Sequence, residues 1–243
     1  MINLRLRTEY SFRYAYGKMQ DVVRHATITD RGNTFGHIPF YTECKKLGIK
    51  PRLGVELAFV EDTTLRIRQT TYYVTLLAKN NKGLSAIYKL VSKSTQQKFR
   101  ENRLDFEELS KINDNIIVII ENACLERHLK KGLSAYYGVS PLSSYGDFKK
   151  SKLPFVALSD NLYSKPEEKY LYEIILGKGV GFSACRDREE LSHILNEDEW
   201  RFETFLDEKQ QNEAIARTHE IDGLIQDFRL RRAELPHNTS DKT

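Results

Sequence analysis

NIIVII (115–120) decides how the chain is read. Five aliphatic side chains follow Asn115 without a polar interruption. A half-exposed strand would alternate, whereas an unbroken run of this length suits a strand covered on both faces, as in a parallel sheet flanked by helices. LPFVAL (153–158) repeats the pattern. Between the two lies GLSAYYGVSPLSSYGDF, whose Gly, Ser and Tyr content reads as loop.

Working outward, LGVELAFV (53–60) and YYVTLLA (72–78) read as strands, and a helix over 81–93 presents Leu84, Ile87, Tyr88 and Val91 at helical spacing. A helix from Thr34 to Leu47 carries Phe40, Cys44 and Leu47 on one face and ends in Lys45-Lys46 before Gly48. ATITD (26–30) is a short strand, followed by a turn at Arg31-Gly32-Asn33. The N-terminus alternates: Leu4 and Leu6 point one way, Asn3, Arg5 and Arg7 the other, which is the period of a strand with an unusually polar face. Ser164 and Glu167 form a capping-box pattern opening a helix with Leu171, Ile174 and Ile175, and a last helix over 211–228 carries Ile215, Ile221, Ile225 and Phe228. Strands separated by helices give an α/β protein. Pattern alone leaves the sheet open or closed.

The 243 residues are 40% hydrophobic and 30% charged with mean hydropathy −0.54, enough for a sizeable core. No apolar run reaches membrane-spanning length and no signal peptide opens the chain, so a cytoplasmic location is expected. Cys44, Cys124 and Cys185 have no CxxC spacing and read as reduced thiols, Cys124 as a small buried one. The net charge of +4 is too small to announce a nucleic-acid binder, although residues 1–60 carry ten Lys/Arg against five Asp/Glu and residues 186–213 carry four against ten. Basic and aromatic residues do not interleave along the basic third, so DNA binding there stays a minor reading. Phosphate-loop, dinucleotide and HExxH motifs are absent. Gly177-Lys178-Gly179-Val180-Gly181 follows a helix rather than a strand and reads as a connection. The six histidines are scattered. Trp200, beside Glu197-Asp198-Glu199, reads as an anchor for the acidic segment or a partner contact.

NLRLRTEYS (3–11), TDRGNTFGHIPFYTECKKLGIKPRLGVEL (29–57), VTLLAKNNKGLSAIYKLVS (74–92), LPFVALSDNLY (153–163) and EAIARTHEI (213–221) together resemble, in order and register, the PHP (polymerase and histidinol phosphatase) domain at the front of bacterial DNA polymerase III alpha subunits. The resemblance implies a distorted parallel (β/α) barrel with a short C-terminal helical extension: a barrel over 1–182, an acidic and helical extension over 183–236, and a polar tail over 237–243. It also implies a metal cluster at the C-terminal ends of the strands, where barrel enzymes keep their sites. The chain stops soon after EAIARTHEI, which suggests the PHP module alone, unable to polymerise DNA. The short interval between Tyr14 and Asp30 suggests a trimmed first helix and second strand.

Carried over by position, the family's metal ligands fall at Arg5, Arg7, Tyr14, Arg31, Glu56, Tyr73, Cys124, Asp160 and Leu162, of which only Glu56, Cys124 and Asp160 keep a ligating side chain. Arginine is always protonated and has no lone pair to give a metal. The expectation is therefore an ion-pair cluster of Arg5, Arg7 and Arg31 with Asp30, Glu56 and Asp160, no metal cofactor, and no catalysis. Such a module would act through contacts with replication proteins, either DNA polymerase III subunits or the proofreading exonuclease; a free-standing copy competing with a host's module would suit a phage. The alternatives are a phosphoesterase or 3'-5' exonuclease using Zn or Mn on Glu56, Cys124 and Asp160, and an anion- or DNA-binding module using Arg5, Arg7 and Arg31.

Overall fold

The computed structural model describes residues 1–175 and 192–230. The glycine-rich run 177–181, Cys185, the boundary at 182/183 and the tail 237–243 lie outside the described residues. In chain order the elements are α1 (Met19–Arg24), β1 (Thr27–Ile28), α2 (His37–Lys46), β2 (Arg52–Val60), β3 (Tyr72–Ala78), α3 (Asn81–Gln96), β4 (Arg103–Asp105), α4 (Glu107–Ser110), β5 (Ile116–Ile120), β6 (Ala135–Val139), α5 (Tyr145–Phe148), β7 (Phe155–Ala157), α6 (Lys169–Ile175), α7 (Glu197–Glu203) and α8 (Glu208–Leu224).

The strands form one curled sheet in the order β1-β2-β3-β5-β6-β7, with β4 on the free edge of β2 beyond β1. Pairing is parallel throughout except at β3, which runs antiparallel to both β2 and β5. The fold is thus a mixed α/β half-barrel of the PHP type, and β3 is its departure from an all-parallel sheet. All five residues of β5 are buried, as their unbroken apolar run requires. All nine residues of β2 are buried too, Arg52 and Glu56 included.

The stretch read as loop contains β6. Tyr137 packs with no exposure, and Gly138 is needed because a Cβ there would meet Leu158 Cδ2 at 2.7 Å and Ile119 Cγ2 at 2.9 Å. The Gly and Ser content that argued for a loop reflects close packing between two neighbouring strands. The opposite correction applies at the N-terminus. Residues 3–8 are extended and buried on both faces, but they form no strand ladder. Leu6 exchanges hydrogen bonds with Thr29 (Thr29 N to Leu6 O, 2.7 Å; Leu6 N to Thr29 Oγ1, 2.9 Å) on the β1 side. On the β7 side Arg7 N donates to Asn161 Oδ1 and Asn161 Nδ2 donates to Arg7 O, both at 2.8 Å. The segment therefore bridges the two open edges of the half-barrel through a backbone bond from Thr29 and the side chains of Thr29 and Asn161. Leu4 and Leu6 join the hydrophobic core while Arg5 and Arg7 face the site.

The capping box expected at Ser164 is replaced by a 3-10 turn over Pro166–Glu168, and Ser164 Oγ instead accepts from Lys18 N at 2.9 Å. Helix α2 starts at His37, later than Thr34, and α8 begins at Glu208 behind a capping box of Asp207 and Gln210. The described C-terminal elements pack on the barrel. Ile215 and Ile221 of α8, with Ile225 and Phe228 beyond it, join the same core, and Arg52 ties Asp222 to the start of β2 at 2.8 Å. Trp200 is fully buried on α7 and donates its indole N–H to Val139 O at the end of β6 (3.1 Å), so it anchors the acidic segment from inside. Among the described residues no helix is long and apolar enough to cross a membrane.

Removing a fully buried indole leaves a large cavity, so Trp200→Ala should cost about 3–5 kcal/mol of unfolding free energy in urea titration. Trp200→Phe should cost less, since it keeps most of the packing and loses the bond to Val139.

Candidate functional site

The site grows out of one edge of β2. Along that edge β1 pairs with residues 52–53, β4 with 58–60, and between them Arg31 forms an isolated parallel bridge with Glu56. Gly32 N donates to Glu56 O (2.8 Å) and Glu56 N to Asp30 O (3.1 Å). That pairing sets the Arg31 and Glu56 side chains next to each other. From the opposite side the 3–8 segment contributes Arg5 and Arg7, and the chain after β7 contributes Asp160. Gly17 lets the following turn close over the segment: a Cβ there would lie 2.0 Å from Arg7 O.

Glu56 is 1% exposed and lies at the centre. Arg7 binds it in bidentate fashion, Nε to Oε2 at 3.0 Å and Nη2 to Oε1 at 2.7 Å. Arg31 Nε donates to the same Oε2. Arg7 also reaches Asp160 through Nη1. Arg5 binds Glu121 through both terminal nitrogens, donates Nε to Ser159 O at 3.2 Å, and lies 3.8 Å from both Glu56 and Asp160. Three guanidiniums thus face three carboxylates: Glu56, Asp160 and Glu121.

Arg31 is held by two more of the carried-over positions. Its Cζ lies 4.6 Å from the ring centroid of Tyr14 and 3.9 Å from that of Tyr73, a cation between two aromatic faces. The hydroxyls of both tyrosines donate to Glu101, from Tyr14 at 3.1 Å and from Tyr73 at 3.0 Å. Arg5, Arg7, Arg31, Tyr14, Tyr73, Glu56 and Asp160 therefore come together as one interlocked group, while Leu162 and Cys124 do not join it. Leu162 contributes only backbone, accepting from Tyr16 N and donating to Ser192 O. Cys124 is exposed, not buried as expected, because the 3-10 turn Ala123–His128 sends Leu125 inward and turns the thiol to solvent.

Asp30 is the other correction. It is fully buried, but it accepts from Thr8 N (2.6 Å), Thr8 Oγ1 (2.8 Å) and Ser11 Oγ (2.7 Å), and among the described residues no arginine is paired with it. It clamps the 8–11 turn instead. Glu121 takes the place assigned to it. The signal for Glu121 was available: it follows β5 directly, at the C-terminal end of a buried strand, where barrel sites collect side chains.

Burial by itself would raise the Glu56 carboxyl; the Arg31 and Arg7 charges outweigh it and hold the pKa well below the usual carboxylate range. Asp160 is lowered in the same way, burial being overcome by Arg7 and Arg5. Burial pushes Asp30 up to about 6 despite its hydrogen bonds from Ser11 and Thr8. Burial lowers His37 to about 4; its Nε2 lies 2.8 Å from Gly54 O.

Two predictions follow from this balance. Glu56→Met leaves Arg7 and Arg31 without their counter-charge and should cost about 3–5 kcal/mol, whereas adding Arg7→Met removes one of the two unpaired cations and should recover part of that loss. Urea titrations of the wild type, Glu56→Met, Arg7→Met and the double variant measure the cycle. On lowering the pH from about 6.5 to 4, keeping His37 neutral costs about 3 kcal/mol of stability, while protonating Asp30 returns a similar amount. The stabilising charges of Glu56 and Asp160, whose pKa values are depressed, persist above the ordinary carboxylate range of about 4 and are lost below it. Urea midpoints should therefore change little down to about pH 5 and fall steeply below about pH 4.5; a steep fall already at pH 6 would contradict the assignment.

Comparison with known proteins agrees with this architecture. The model of the PHP domain family matches residues 3–151. The chain is 33% identical over 138 residues to the DNA polymerase III subunit alpha of Borreliella burgdorferi, covering 51% of this chain and 12% of that protein. It is 29% identical over 155 residues to the corresponding subunit of Aquifex aeolicus (56% and 13%) and 33% identical over 138 residues to that of Helicobacter pylori 26695 (51% and 11%). The matched region is thus a small part, 11–13%, of each of these relatives.

Proposed function

The chain belongs to the PHP domain family, and on that premise we propose that it is a metal-free, catalytically silent member that works by contact with replication proteins. One observation carries the reading: both oxygens of Glu56 are taken by Arg7 and Arg31. A metal centre acting on phosphoesters needs carboxylate, imidazole or thiolate lone pairs converging on a cation. Here the residues do not fit such a centre. Three guanidiniums occupy the space, the carboxylates of Glu56, Asp160 and Glu121 already neutralise them, and Cys124 faces solvent. The same commitments argue against Arg5, Arg7 and Arg31 as an anion site, because a phosphate would have to displace carboxylates already bound at hydrogen-bond distance.

With chemistry set aside, the relatives supply the context. They are alpha subunits of DNA polymerase III, so the proposed partners are subunits of that polymerase or its proofreading exonuclease.

The test has two arms. Purified protein equilibrated with Zn or Mn and then passed through a desalting column should carry well under one equivalent of metal and release no nucleotide from a DNA 3' end; stoichiometric metal with nuclease activity lost in Asp160→Ala would overturn the silent reading. Immobilised protein should bind a purified DNA polymerase III subunit or the proofreading exonuclease saturably; failure with all of them would overturn the contact role.

A further inference from the structure

Beside the ion-pair group the surface opens into two adjoining clefts of about 760 and 570 Å³, which share Arg100 and Glu101 in their walls. Their combined lining holds six cations, Arg13, Arg31, Arg68, Lys98, Arg100 and Arg103, against one carboxylate, Glu101. Two of the six are committed: Arg31 to Glu56, and Arg103 to the carbonyls of Leu65 (2.7 Å) and Thr63 (3.3 Å). The other four are exposed, and none is ion-paired to another described residue. Glu101, held by the hydroxyls of Tyr14 and Tyr73, is one negative charge against these four.

Aromatic rings stand among these charges. Phe12 and Phe35 are 73% and 76% exposed on the cleft wall. Arg13 lies 5.8 Å from the Phe12 ring and Arg100 5.8 Å from the Phe99 ring. Arg13 and Arg100 both adopt left-handed backbone, φ 67° and 66°, a strained conformation for arginine that Gly or Asn would take more easily. Single exposed phenylalanines are ordinary; alternating rings and uncompensated cations along a cleft are a specific chemistry. A nucleic-acid strand offers that alternation, with base faces to stack on rings and phosphates to meet cations. An acidic peptide would satisfy the charges but not the separated rings.

We propose that this double cleft binds single-stranded nucleic acid, with Phe12 and Phe35 stacking bases and Arg13, Arg68, Lys98 and Arg100 meeting the backbone. Arg5 and Arg7 take no part, so the inference goes beyond the proposed function and holds whether or not the contact role does. Phe12-Arg13 and Lys98-Phe99-Arg100 alternate locally in the chain, and the fold brings these two segments together with Phe35 and Arg68.

Fluorescence anisotropy with labelled oligo(dT) and oligo(rU) of about 20 nucleotides tests it. Binding to either should weaken with salt with a log–log slope near −3, about 0.7 for each of four phosphates. Arg13→Asn with Arg100→Asn, chosen because Asn tolerates left-handed backbone, should roughly halve that slope and weaken low-salt binding about tenfold or more. Phe12→Ala with Phe35→Ala should weaken binding at least about fivefold while leaving the slope unchanged. All four side chains are exposed, and matching thermal melts would establish that the variants fold. No binding at low salt, a slope unaltered by the arginine changes, or equal competition by duplex DNA or a polyglutamate peptide would overturn the proposal.

Discussion

A carboxylate with almost no solvent contact, Glu56, lies between two guanidiniums, and the architecture around it follows from keeping that arrangement matched. Buried charges are tolerable only when paired with good geometry, because the cost of removing them from water is several kcal/mol per ion. Each neighbour supports the pairing. The parallel bridge of Arg31 to Glu56 sets two of the groups side by side. The extended N-terminal segment brings Arg7 from the far edge of the half-barrel, and Asn161 holds that segment by its backbone. Tyr14 and Tyr73 enclose the Arg31 cation and pass their own hydroxyl bonds to Glu101.

The N-terminal segment links folding to the site. It closes the sheet by a few hydrogen bonds with Thr29 and Asn161 and not by a ladder, so its register depends on those polar contacts and on Leu4 and Leu6 in the core. The same register aims Arg5 and Arg7 into the cluster. Stability and site geometry are therefore one problem in this region.

The outer cleft follows a different rule. There four of the six cations face solvent with no ion pair among the described residues, Phe12 and Phe35 are exposed, and the backbone at Arg13 and Arg100 is strained. Inside, charge is compensated by close ion pairs; outside, four cations are left without ion pairs among the described residues, over a surface large enough to hold a ligand.

Much of this could be read from the residues alone. The apolar run at 115–120, the strands at 53–60 and 72–78, and the helix from 81 onward needed only periodicity, because burial on both faces or on one leaves a direct mark in the order of side chains. That guanidiniums stand at Arg5, Arg7 and Arg31 is equally a matter of sequence, as is their inability to ligate metal. Tertiary structure decided which carboxylates answer them. Asp30 is next to Arg31 in the chain yet turns to Thr8 and Ser11, whereas Glu121, remote in sequence, reaches Arg5 from the end of β5. It also decided that AYYGV is a strand, that Cys124 faces out, and that Phe12, Phe35 and Arg100 share a cleft. The physical reason is the same in each case: a side chain's type is local, but its partner is whatever the closed sheet brings within hydrogen-bond or stacking distance.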